Sequence, residues 1–195
     1  MPTENERKYV LFRDRKVLES IETRAKKQLH IEQHILKEGS GWVYRIRRSV
    51  PCDGPINPKF ADPQYMATFK QHVNGRLVEL NHEIDKRDYE DLKTKSLGQI
   101  IKTRHLLPYG LHIWEVDVFY NGPIQNDPFF IMAEVELDEG DEAPPHVPDF
   151  ITDHLLYEVP IDVKGFSNKK LRNVEYAEAV YQNLLEGHKN EKEQV

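Results

Sequence analysis

Up to Leu137, apolar and polar residues alternate along the chain in short runs. The runs are ENERKYVLF, HIEQHIL, WVYRIRR, MATFKQHV, RLVELNHEI, IIKTRHLL, HIWEVDVFY and FFIMAEVEL. A period of two places successive side chains on opposite faces of a strand, so these segments predict a mainly antiparallel sheet or barrel. CDGPINPKFADP, NGPIQNDP and DEGDEAPPHVPD separate some of them and read as turns and loops, being rich in Pro, Gly, Asp and Asn. Helical spacing occurs over residues 15–28 (stripe Val17, Ile21, Ala25), over 85–97 with Asp85 as N-cap, and over 168–187. The last of these has Leu171, Val174, Ala177, Tyr181 and Leu184 on one face, Ser167 or Asn168 as cap and Gly187 as stop.

Sorting the strands by face separates two kinds of surface. Arg45 and Arg47 share a face against Trp42, Tyr44 and Ile46. Thr68 and Lys70 lie together, as do Lys102 with Arg104, Glu115 with Asp117, Glu134 with Glu136, and Glu4 with Glu6 and Lys8. Glu79, Asn81 and Glu83 form another such face. For one strand alone, a charged face simply meets water, as in any half-exposed antiparallel sheet. Here the charges come in pairs two residues apart on nearly every strand, some of one sign, and the opposite faces carry Trp and aliphatics that need cover.

An inverted barrel satisfies both surfaces, with charges pointing to a wet lumen and apolar faces lying outward under the three helices. About eight strands enclose room for one small ligand. Such an interior is costly unless a charged ligand and its metals neutralise it. Carboxylate oxygens suit Mg²⁺ or Mn²⁺, and Arg and Lys suit phosphate oxygens. Carboxylates for metal beside bases for phosphate are what metal-assisted phosphoryl transfer requires.

Composition narrows the class. The chain has 195 residues, 38% hydrophobic and 31% charged, enough for one domain with a proper core. A formal net charge of −6 argues against a nucleic-acid coat or a membrane-surface binder. Cys52 stands alone, which excludes an internal disulfide and a thiol cage for metal. No apolar run approaches the roughly 20 residues of a membrane span, so the expected location is the cytoplasm. His30, His34, His105, His112 and His146 form no ligand pair and read mostly as surface or turn residues. Trp42 and Trp114 are expected on the outer wall, under the helices.

ENERK resembles the Glu-x-Glu-x-Lys signature of the CYTH superfamily, the triphosphate tunnel metalloenzymes. The neighbouring segments follow in order: IEQHIL, the Arg-x-Arg of GWVYRIRR, the Thr-x-Lys of ATFK, the Lys-x-Arg of IIKTRHLLP, WEVDVFYNG and the Glu-x-Glu of IMAEVEL. The resemblance runs from about Glu4 to Leu137 and continues more weakly through LYEVP and GFSNKKL. It implies a mainly β (α+β) protein, a closed eight-stranded antiparallel β-barrel tunnel with a charged lumen, flanked by helices. The implied domain covers residues 1–188, with a polar tail over 189–195.

By the same resemblance, Lys8, Arg45, Arg47, Lys70, Lys102 and Arg104 are the expected phosphate cradle. Glu4, Glu6, Glu83, Asp117, Glu134 and Glu136 are the expected Mg²⁺ or Mn²⁺ ligands, with Glu6 and Glu136 placed to activate water. The chain departs from the family pattern at Glu79 and Asn81, where Arg and Glu are usual, and at the final strand, where Pro160 follows Glu-Val. Lys164 is either a lumen base or a loop charge. The segments are most similar to the bacterial inorganic triphosphatase branch. The implied activity is hydrolysis of tripolyphosphate or a nucleoside triphosphate, the alternatives being a class IV-type adenylate cyclase, a thiamine triphosphatase, or a non-catalytic binder of polyphosphate or nucleotide. The expected partner is a small triphosphate, with no nucleic acid and no membrane, and a homodimer is admitted.

Overall fold

The computed structural model describes residues 5–52, 62–74, 76–122, 127–138, 140–161 and 163–193. Alternating segments become strands: β1 (Glu6–Leu11), β2 (Lys27–Gly39), β3 (Trp42–Cys52), β4 (Gln64–Val73), β5 (Arg76–Glu83), β6 (Gly98–Tyr109), β7 (His112–Tyr120), β8 (Pro128–Glu136) and β9 (Leu155–Val159). They form one antiparallel sheet in the order β5-β4-β3-β2-β6-β7-β8-β1-β9. Two meanders, β2 to β5 and β6 to β8, meet where β2 pairs with β6, and β1 lies between β8 and β9. Nine strands are present where the sequence led us to expect eight. The order runs from β5 to β9, and no ladder joins these two among the described residues. Pro160 lies directly beyond Val159, where its missing N–H costs the β1–β9 ladder nothing.

The helices are α1 (Arg15–Arg24), α2 (Lys86–Lys93), α3 (Asp149–Thr152), α4 (Asn168–Leu171) and α5 (Val174–Glu193). Side-chain caps start four of them, taking up orphan backbone N–H groups. Asp14 accepts from Val17 N, Asp85 from Asp88 N, and Ser167 from Lys170 N. The helix expected over 168–187 is broken at Arg172 and Asn173, where the Asn173 side chain accepts from Tyr176 N and starts α5 afresh. Gly187 does not stop α5, which continues to Glu193. A glycine in a helix interior costs only about 1 kcal/mol, less than a long packed helix recovers. None of the described helices is long and apolar enough to cross a membrane.

Both faces of the sheet carry apolar clusters. On one face Tyr9, Leu11, Trp114, Val116, Val118, Ile131 and Val135 pack under Val17 and Ile21 of α1 and Ile151 of α3. Leu36, Ile46, Tyr65 and Ala67 lie under Tyr89 of α2. We call this the outer face. On the inner face Val10, Ile100, Phe119, Phe130 and Met132 pack against Leu171 of α4 and Ala177 and Tyr181 of α5. Tyr9 and Val10 are neighbours in sequence and buried on opposite sides of one strand.

Three expectations need correction here. Trp114 is fully buried on the outer face, but Trp42 is half-buried in the β2–β3 hairpin beside Phe69. Its indole fills the space over Gly39, where a Cβ would meet the indole nitrogen, so a side chain there would have to push the ring aside. The Ser40–Gly41 turn that closes the hairpin uses a positive φ of 77° at Gly41. His34 and His105 are not surface residues, each being 2% exposed within its strand. His34 is hydrogen-bonded to Ser96 and Glu32, and His105 to the Val116 carbonyl.

Candidate active site on the inner face

On β1, β8, β7 and β6 the inner face is charged toward one end and apolar toward the other. Lys8 faces Glu134 across β1 and β8, whereas Val10 faces Met132 two residues on. Glu134 faces Glu115 across β8 and β7, and Asp117 faces Arg104 across β7 and β6. Helices α4 and α5 cover the apolar half and leave the charged half of these four strands as a wall. Strand β2, with Leu29, Ile31, Gln33 and Ile35 on this face, separates it from the charges of β3 to β5.

On β1, β8, β7 and β6 this wall is an ion-pair chain. Lys8 Nζ lies 2.7 Å from Glu6 and 2.6 Å from Glu134. Glu134 reaches Arg104 at 3.5 Å. Arg104 donates two parallel hydrogen bonds of 2.7 Å to Asp117 and also pairs with Glu115. Lys102 donates to Asp117 and, at 3.2 Å, to the Asn168 side-chain oxygen of α4. Arg172 ties the end of α4 to Glu38 of β2 at 3.0 Å, which fixes Asn168 over Lys102.

On β3, β4 and β5 the wall is thinner in carboxylates. Glu79 lies 2.6 Å from Lys70 and 4.0 Å from Arg45. Asn81 donates to Glu79 at 3.0 Å and accepts from Thr68 at 2.7 Å. Arg47 stands between the two groups of strands and makes no ion pair among the described residues. Burial and the nearby Arg104 weaken its hold on its proton, while Glu115, Glu79 and Asp117 strengthen it from longer range.

Burial sets the proton affinities along the wall. Desolvation works against the Lys8 ammonium, but Glu134 and Glu6 overcome it and leave its pKa raised. Asp117 is fully buried, which would raise its pKa, yet Arg104 and Lys102 hold it well below the usual carboxylate range. Lys102 faces one carboxylate and the neighbouring Arg104 charge, so burial prevails and its pKa is lowered. Arg104, with Asp117, Glu115 and Glu134 around it, is raised despite its burial. Desolvation, with Asp117 and Glu134 adding to it, raises Glu115 against the pull of Arg104.

Several candidate residues therefore converge: Glu6, Lys8, Lys102, Arg104, Asp117 and Glu134 on one part of the wall, Arg45, Arg47 and Lys70 on the other. Glu136 faces Glu6 in the β1–β8 register and is exposed, with no ion pair among the described residues. Glu83 sits exposed at the end of β5 and likewise joins no ion pair among them. Glu4 lies outside the described residues, as does the side chain of Lys164. Besides Glu79, Asn81 and Thr68, Glu115 and Asn168 of the wall were missing from the sequence-based site. Glu115 shares a face with Asp117 and was readable from that spacing. Asn168 lies 66 residues from Lys102, and no local pattern joins them.

The donor set at the β1–β8 end, Glu6, Glu134 and Glu136, consists of carboxylate oxygens and fits a hard divalent cation. Asp117 fits less well, because Arg104 and Lys102 already occupy both of its oxygens. No group of three or more His, Cys, Asp or Glu stands in metal-binding geometry among the described residues.

No family model matches the chain, and no curated protein matches it. Solved structures do. A candidate adenylate cyclase from Bacillus halodurans is 18% identical over 85% of this chain and 98% of its own, with a TM-score of 0.51. A Hippeastrum protein, a candidate adenylyl cyclase with a dominant triphosphatase activity, is 15% identical over 70% of this chain and 80% of its own, with a TM-score of 0.49. A Pyrococcus horikoshii protein is 18% identical over 71% of this chain and 80% of its own, with a TM-score of 0.48. With its charged inner wall, its helix-covered outer face and its match along almost the whole Bacillus structure, the chain has a CYTH-type fold.

Proposed function

We propose that this chain is a divalent-metal-dependent triphosphatase, acting on inorganic tripolyphosphate or a nucleoside triphosphate, with its sheet curled so that the charged wall lines a tunnel. The observation that carries the reading is the wall itself, where bases and carboxylates share the inner face of seven strands and Arg47 makes no ion pair among the described residues. A fold that needed only stability would have no use for so many charges turned away from bulk water, since partly buried pairs add little.

Arg47, Arg45, Lys70, Lys8 and Arg104 would hold the phosphate oxygens. Lys102, only 2% exposed, would act from behind by keeping Asp117 and so Arg104 in place. A bound Mg²⁺ or Mn²⁺ on Glu6, Glu134 and Glu136 would offset charge on the phosphates. Water attacks the terminal phosphorus, the bridging P–O bond breaks, and the water proton passes to a carboxylate. Glu136 suits that role, being exposed and outside the ion pairs that hold Glu6 and Glu134.

The test is phosphate release from tripolyphosphate, ATP, GTP and thiamine triphosphate, with Mg²⁺ or Mn²⁺ and with chelator, on the wild type and Glu136→Gln. Metal-dependent release that the substitution lowers at least a hundredfold supports the reading. Binding without turnover replaces it with a polyphosphate- or nucleotide-binding role, and cyclic AMP formed from ATP replaces it with a cyclase.

A further inference from the structure

The β3–β5 part of the wall holds three cations, Arg45, Arg47 and Lys70, and a carboxylate placed among them. Glu79 comes from β5, directly opposite Lys70 in the β4–β5 register, so the ladder itself presents it to the ammonium. One of its oxygens lies 2.6 Å from Lys70 and the other 4.0 Å from Arg45. The Asn81 amide, itself fixed by Thr68, donates to Glu79 at 3.0 Å and holds the carboxylate in this position. The Lys70 and Glu79 side chains keep 19% and 28% of their surface, so the pair is reachable by a solute. A carboxylate is a planar pair of oxygens bearing one charge, and it offers Lys and Arg the same contacts as two oxygens of a phosphate.

We infer that Glu79 is a resident anion of the phosphate cradle, occupying Lys70 and Arg45 until an incoming phosphate displaces it. The inference rests on the triphosphatase reading and deepens it. Two consequences follow from the charges. Ligand binding on this side has to break the Lys70–Glu79 contact, and the displaced carboxylate then repels the polyanion. The wall is thereby selective for a strongly charged phosphate chain over a singly charged anion, which has too little charge to compete with a carboxylate already in place. Arg47 lies outside the pair on β3.

The experiment measures tripolyphosphate affinity by calorimetry, in chelator and in Mg²⁺, for the wild type, Glu79→Gln, Glu79→Asp, Lys70→Gln and the double substitution of Gln at 70 and 79. Glu79→Gln is expected to bind roughly tenfold more tightly in chelator. Glu79→Asp is expected to stay near the wild type, because it keeps the charge. In the Lys70→Gln background the gain from Glu79→Gln is expected to shrink to less than about threefold, the signature of a pairwise contact. Should Glu79→Gln fail to fold, Glu79→Met provides a second neutral side chain of similar length. Equal or weaker binding by the neutral variants, or the same gain with and without Lys70, overturns the inference. A wild type that neither binds nor cleaves tripolyphosphate overturns the triphosphatase reading instead.

Discussion

Arg104 and Asp117 face each other across β6 and β7 and meet through two parallel hydrogen bonds of 2.7 Å. The register that pairs them also places Lys102 against the same carboxylate, so one fully buried Asp serves two buried cations. Replacing Asp117 with Asn leaves buried Lys102 without its carboxylate and Arg104 with only Glu115 and Glu134. Removing one partner of a buried pair costs about 3–5 kcal/mol. Asp117→Asn is expected to lower the unfolding free energy by that amount in a urea titration and to abolish phosphate release. A cost below about 1 kcal/mol would mean that the cations find other partners.

Arg47 calls for the opposite result. It makes no ion pair among the described residues, and burial together with the nearby Arg104 lowers its affinity for a proton. Arg47→Ala is expected to leave the unfolding midpoint unchanged or slightly raised. Tripolyphosphate affinity is expected to fall about 30- to 100-fold, in keeping with the loss of about 2–3 kcal/mol from a charge-assisted contact. Calorimetric titration and a thermal melt on the same sample separate the two effects.

On the outer face, Ile21 of α1 is fully buried against a cluster that includes Leu11 and Trp114. Ile21→Ala is expected to cost about 2–4 kcal/mol of stability through the cavity it leaves. Below the unfolding transition, ligand affinity should match the wild type, because the substitution lies behind the sheet from the charged wall. A large loss of affinity with small destabilisation would link the two faces.

Acid should expose a second buried network. Glu32 accepts from His34, pairs with Lys93 of α2 at 2.7 Å, and is lowered to about 2 by these partners, the His34 hydrogen bond above all. Its folded pKa lies below the ordinary 4.5, so it contributes stability above pH 4.5 and loses it as pH falls from 4.5 toward 2. The contribution is about 3 kcal/mol at most. Glu32→Gln is expected to be less stable at pH 7 by up to this amount and to show a shallower acid slope, the two curves converging near pH 2. Chemical denaturation across pH 2–7 checks the sign.

How far the sequence carries is clearest on single strands. Glu134 and Glu136, Lys102 and Arg104, and Arg45 and Arg47 share faces because a period of two leaves no other arrangement, and Trp114 and Val116 must then face the other way. Asp85 and Ser167 cap helices where the reading placed them, because capping is local chemistry. The period cannot tell where an inner face changes from charged to apolar. Val10, Met132, Phe119 and Phe130 sit within continuous apolar runs, buried on both sides, and only the packing of α4 and α5 shows which side each serves. The Lys102–Asn168 hydrogen bond and the break at Asn173 likewise depend on residues brought together by the whole fold. The placement of β9 beside β1 does too, since Pro160 seemed to argue against a strand that in fact ends one residue earlier.

The boundary between the charged and apolar halves of the inner face on β1, β8, β7 and β6 has one more consequence. Tyr181, Ala177 and Leu171 cover the apolar half from the helix side, so on the triphosphatase reading the charged half would be a dead-end street. On that reading a phosphate chain would enter head first from the end away from α5, and whatever is cut from it would back out along the way it came. Traffic of that kind makes the departing fragment a rival of the next arrival. Turnover should therefore slow as fragments accumulate, and a chain too long for the street would be shortened from its leading end while its tail stays in water.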